Sequence, residues 1–172
     1  MSTSLDAAGG TLPQLKQCLH YDPDSPSCKK AFKQFKALAK AITQTNNFLS
    51  SNNSWRPLLK VLIPLLTSFD EAIDAYAQYL PPDAKVKSEP RRRLWAGACK
   101  AYVQIDQINK AMPYCEETLK MSPEDMDALV GKGEKLMKDE SWEEAVRVLN
   151  QAFELSGRSS QDVSRLAFLC LS

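Results

Sequence analysis

The sequence predicts an all-α protein built from stacked helical hairpins. Three observations carry that expectation. Glycine is scarce, at 6 of 172 residues, while Ala, Leu, Lys and Glu are plentiful. Apolar residues recur at helical spacing along most of the chain. From residue 92 onward, small and large apolar residues repeat with a fixed period.

Composition narrows the function classes. Hydrophobic residues make up 44% of the chain, enough to build a core. The net charge is +1, which argues against a basic face for nucleic acid. The most apolar run, LLKVLIPLL at 58–66, is interrupted by Lys60 and Pro64. It falls short of the ~18 apolar residues a membrane span needs, so it reads as a buried helix face. The opening MSTSLDAAGGTLPQ has neither the basic nor the apolar region of a signal peptide.

The elements follow in order. Residues 1–11 are small and polar and are expected to be disordered. LPQLKQCLHYD reads as a short helix, broken by the DPDSP turn at 22–26. The next segment places Phe32, Phe35, Leu38, Ala39, Ile42 and Leu49 at helical spacing. SSNNS at 50–54 reads as a turn, with Ser54 available to cap a helix from Trp55. That helix pattern runs to Leu80, but Pro64 is expected to break or kink it. Residues 28–80 thus form a divergent hairpin unit, and PPDAKVKSEP at 81–90 reads as a loop. Its helix pair starts near Ala39, 53 residues before Arg92 and so about 19 more than one period, an excess expected in TSFDEAIDAYAQYLPPDAKVKSEP as an extra helix plus loop.

Beyond residue 92 the period is explicit. Stepping 34 residues takes Cys99 to Gly133, Tyr102 to Leu136 and Ala111 to Ala145. The same step takes Cys115 to Leu149 and Thr118 to Ala152. A two-helix unit of about 34 residues is the tetratricopeptide repeat, which stacks into a right-handed superhelix. Residues 92–125 and 126–159 are two such units within an array spanning 12–159. Trp95, Tyr102, Ala111, Gly133, Leu136, Ala145, Leu149 and Ala152 are the expected packing residues. Gly133 and Ala145 are expected where the helices of one hairpin cross closely, with Leu136 and Leu149 filling the space beside them. Ser141 and Glu144 form a candidate capping box, and Asp106 a candidate cap for the preceding repeat. Pro113 should distort its helix locally. Ser160 can cap a last helix over 160–172 that covers the final repeat.

Five cysteines remain: Cys18, Cys28, Cys99, Cys115 and Cys170. None has CxxC spacing and His20 is the single histidine, which argues against a metal site. In the repeat frame, Cys99 and Cys115 occupy facing positions of one hairpin. They read either as a cross-link or as two small buried apolar residues. Cys18 and Cys28 flank the DPDSP turn and admit the same two readings. Any two disulfides would require one oxidising compartment.

LKQCLHYDPDSPSCKKAFKQFKALAKAI and CKAYVQIDQINKAMPYCEETLKMSPEDMDAL resemble segments of a known family. It is the endoplasmic-reticulum-lumenal co-chaperone that joins tetratricopeptide repeats to a J domain, the kinase-inhibitor type of DnaJ protein. MPYCEETLKMSPEDMDALVGKGE and EEAVRVLNQAFELSGRSSQD look most like fungal members. The resemblance covers residues 12–165. It implies disulfides Cys18–Cys28 and Cys99–Cys115, leaving Cys170 as a free thiol. It also implies a lumenal location, binding of unfolded client polypeptides, and a role in Hsp70-dependent folding and the unfolded-protein response. The family's His-Pro-Asp motif is missing, since His20 precedes Tyr21. The chain is therefore expected to be a fragment without a J domain, engaging no Hsp70 itself and cytosolic if made without a signal.

Competing readings are a cytosolic adaptor and a non-functional truncated product. An adaptor would clamp an acidic tail with slots that here hold Ala96, Lys100, Val130 and Glu134, the last of which repels a carboxylate. No catalytic, cofactor or metal residue is proposed. GKGEK at 131–135 lacks phosphate-loop spacing, and His20 has no nucleophile to serve.

Overall fold

The computed structural model describes residues 16–50, 54–75, 77–79 and 82–156. Every regular element among them is helical. A helical stretch at 16–21 precedes α1 (Pro26–Ser50) and α2 (Trp55–Ala75). A 3₁₀ turn at Ala77–Tyr79 and the one-turn α3 (Ala84–Lys87) follow. Then come α4 (Glu89–Gln104), α5 (Ile108–Met121), α6 (Met126–Lys138) and α7 (Trp142–Leu155). The chain divides into two compact units, residues 1–94 and 95–172, with the boundary inside α4.

In the first unit α1 packs on α2. Leu58, Leu59, Leu62, Leu65 and Leu66 give α2 a buried stripe at helical spacing. Pro64 does not break this helix, contrary to the sequence expectation. The buried leucines flank it on both sides, so tertiary packing outweighs the lost backbone hydrogen bond. The excess over one repeat period is taken up by a longer α2, the 3₁₀ turn and the additional short helix α3, which occupies part of the expected loop at 81–90. Arg91, almost fully buried, makes a two-pronged ion pair with Asp70 at 2.7 and 3.0 Å. That pair ties the first turn of α4 to α2.

In the second unit α5 packs on α6 and α6 on α7. One core holds Cys99, Val103, Ile108, Ala111, Cys115 and Ala128. The next holds Leu129, Val148, Leu149 and Ala152, with Leu136 and Phe153 packed against it. Pro113 is accommodated within α5. The expected capping box is not formed: Ser141 makes no side-chain cap, and Glu144 pairs with Arg147 instead. Asp106 does not cap α5 either. It adopts a left-handed backbone with φ 57°, matched one period later by Glu140 with φ 60°. Gln107 N–H donates to the Tyr102 carbonyl and Ser141 N–H to that of Leu136, each at 2.9 Å. These bonds close both first helices with a Schellman motif, so Asp106 belongs to the end of α4 rather than the start of α5. Its carboxylate pairs with Lys138. The expected disordered N-terminus (1–11), the C-terminal helix (160–172) and Cys170 lie outside the described residues.

Candidate functional site

The second unit centres on Cys99 and Cys115, both fully buried. Their Cα atoms are 4.9 Å apart and their sulfurs stand at bonding distance. Facing positions on α4 and α5 bring them together, 16 residues apart in sequence. Gly131 of α6 rests directly on this pair. A Cβ there would stand 2.8 Å from the Cys115 sulfur and 3.2 Å from that of Cys99. Only a glycine lets α6 approach so closely. The packing residue missed in the sequence is thus Gly131, and its signal was present: Gly97 precedes it by 34 residues.

Gly133, two residues on, meets a different partner. A Cβ there would stand 2.5 Å from Leu149 of α7. Ala145 and Ala152 are buried along the same face of α7 as Leu149. Ala111 is buried in the preceding repeat, one period before Ala145. Trp95, Tyr114 and Tyr102 form an aromatic ladder, with ring centroids 5.3 and 5.4 Å apart. Burial beside Tyr102 pushes the Tyr114 phenol above its ordinary value.

Cys18 and Cys28 also stand at bonding distance, with Cα atoms 6.3 Å apart. Between them Asp22 N–H donates to the Cys18 carbonyl at 2.9 Å, and the Asp22 carboxylate accepts from Asp24 N–H. The local turn, an Asx turn, therefore brings the two sulfurs together. Unlike the inner pair, both of these cysteines are partly exposed.

The slots of an acidic-tail clamp are not assembled. Lys100 pairs with Asp127 at 3.1 Å and Ala96 is buried. No group of three or more potential metal ligands occurs among the described residues. No described helix is long and apolar enough to cross a membrane.

Two hairpins of matched length, period and turn geometry define a tetratricopeptide-repeat array. No protein-family model matches the chain. The chain is 38% identical to the tetratricopeptide repeat and J domain-containing co-chaperone DNJ1 of Cryptococcus neoformans, over 93% of its own length and 33% of that protein. It is 33% identical to the DNJ1 of Mycosarcoma maydis, over 94% of its length and 30% of that protein. It is 23% identical to DnaJ homolog subfamily C member 3 of Gallus gallus, over 80% of its length and 24% of that protein. The crystal structure of the P58(IPK) TPR domain superposes with a TM-score of 0.65 at 19% identity. That superposition covers 98% of this chain and 42% of the other, and establishes the fold alone. The chain is thus similar, over most of its own length, to tetratricopeptide and J domain-containing co-chaperones, and spans about a third of the two fungal relatives.

Proposed function

We propose that this chain is the non-catalytic, client-holding part of a co-chaperone, retaining exposed apolar segments of unfolded polypeptides for Hsp70-dependent folding. The observation that carries this reading is the 38% identity to a fungal co-chaperone across 93% of the chain. The two cysteine pairs at bonding distance favour an oxidising compartment, and the endoplasmic reticulum lumen is the compartment proposed. Stimulation of Hsp70 is not assigned to these residues, because no His-Pro-Asp motif lies among them.

The test is light scattering from a thermally unfolded model client. The oxidised chain, added in molar excess, is expected to suppress aggregation. A scattering curve unchanged at every ratio would contradict client holding.

A further inference from the structure

In the first unit, α1 and α2 leave a groove of about 730 Å³ between them. Its lining includes Ala37 and Ala41 from α1 and Val61, Pro64, Leu65 and Ala72 from α2. Small side chains keep the groove open along its length. Toward the inter-helix turn, beyond Ala41, Thr45 and Leu58 are both fully buried. The helices therefore close at that end and leave room where Ser27 and Ala75 line the groove.

Charge is unevenly placed around this groove. Helix α1 carries Lys29, Lys30, Lys33, Lys36 and Lys40 and no acidic residue. Lys29 pairs with Asp24. Lys30 lines the groove. Lys33 and Lys40 are exposed on the neighbouring face of the same helix. Neither they nor Lys30 has an ion pair among the described residues. On the opposite wall, Asp70 is engaged by Arg91 and Asp74 by Lys85, leaving Glu71 as the acidic group in the lining.

We propose that this groove docks an acidic amphipathic segment of a client polypeptide, apolar side chains down and carboxylates toward the lysines of α1. The inference rests on the client-holding reading and names the chemistry one groove selects. Apolar burial supplies a floor that tolerates many sequences, and the lysines supply the preference. Small side chains on the groove walls leave room for the larger apolar side chains of a docked segment.

Fluorescence anisotropy on the full oxidised chain tests this. Three labelled peptides share one apolar pattern and differ in carrying acidic, neutral or basic residues. The acidic peptide is expected to bind about tenfold or more tighter than the basic one at low salt, with the gap narrowing as salt screens exposed charges. Lys30→Glu with Lys33→Glu should abolish the preference, and Glu71→Gln should strengthen acidic binding. Ala37→Phe fills the groove and should weaken all three peptides, with helicity by circular dichroism reporting that each variant folds. Equal affinity for the three peptides would overturn the proposal. So would binding indifferent to Ala37→Phe, or an RNA oligonucleotide that displaces the peptide and depends on the lysines alone. Aggregation suppression measured in parallel separates the two readings. Suppression without a charge preference removes this site and leaves client holding; loss of both removes both.

Discussion

Replacing Leu149 by Ala is expected to destabilise the α6–α7 hairpin by about 2–5 kcal/mol, the range for buried leucine truncations. Leu149 is 1% exposed and sits in a core with Leu129, Val148 and Ala152. The α6 backbone at Gly133 lies directly against its side chain. A helix backbone cannot collapse into the void, so the cost should fall in the upper part of the range. Gly133→Ala makes the opposite error. Its new methyl would sit 2.5 Å from the Leu149 side chain, which has no free space to yield. Overpacking of this kind costs about 1–3 kcal/mol, partly offset by the better helix propensity of alanine. The double variant should be more stable than the sum of the two losses, because the shortened side chain makes room for the new methyl. Urea unfolding followed by circular dichroism reads all three. Strict additivity would mean that the two residues do not meet.

Loss of the Cys99–Cys115 link is the second large effect. A loop of this size implies about 3 kcal/mol in the chain-entropy model, and removal of native disulfides from small domains costs about 2–5 kcal/mol. Cys99→Ser with Cys115→Ser adds buried hydroxyls, so Cys99→Ala with Cys115→Ala is the cleaner comparison. The variant is expected to unfold at a lower urea midpoint than the oxidised wild type and to match the reduced wild type closely. Titration with reductant should open the partly exposed Cys18–Cys28 pair first and the fully buried Cys99–Cys115 pair only as the second unit loosens. A midpoint unmoved by reduction would show that the helices pack equally well without the bond.

Much of the second unit was legible because its two repeats share one frame. The period alone sets Gly133 on α6 opposite Leu149 on α7, and the structure has them in contact. The turns were misread for a physical reason. Asp and Ser before a helix look like N-terminal caps, yet each connection holds its middle residue, Asp106 or Glu140, in left-handed backbone that ends the preceding helix. Comparing Asp106 with Glu140 across one period would have exposed this. Pro64 was misread because local chemistry forbids it mid-helix, whereas the leucines around it hold the helix together. The acidic preference proposed for the α1–α2 groove was hardest to see. Five lysines on one helix carry no such signal by themselves, because the groove beside them is formed only when α2 packs on α1.

The electrostatics at the start of α4 fit the same frame. Hydrogen bonding from Arg92 and then Arg93 holds the Glu89 carboxyl at about 2, below its ordinary value of 4.5. A depressed folded value stabilises above the ordinary value and loses that contribution as pH falls toward 2. Glu89 is about half exposed, so this is a minor contribution beside the buried Arg91–Asp70 pair.

The central claim is that the chain folds as a repeat array cross-linked by two pairs, Cys18–Cys28 and Cys99–Cys115. Peptide mapping under non-reducing conditions tests it most directly. The chain, folded in a glutathione redox buffer and digested with trypsin, should yield a linked pair of peptides containing Cys99 and Cys115, and a second product joining Cys18 to Cys28. Recovery of Cys99 and Cys115 as free thiols, or of either joined to Cys18 or Cys28, would contradict the account.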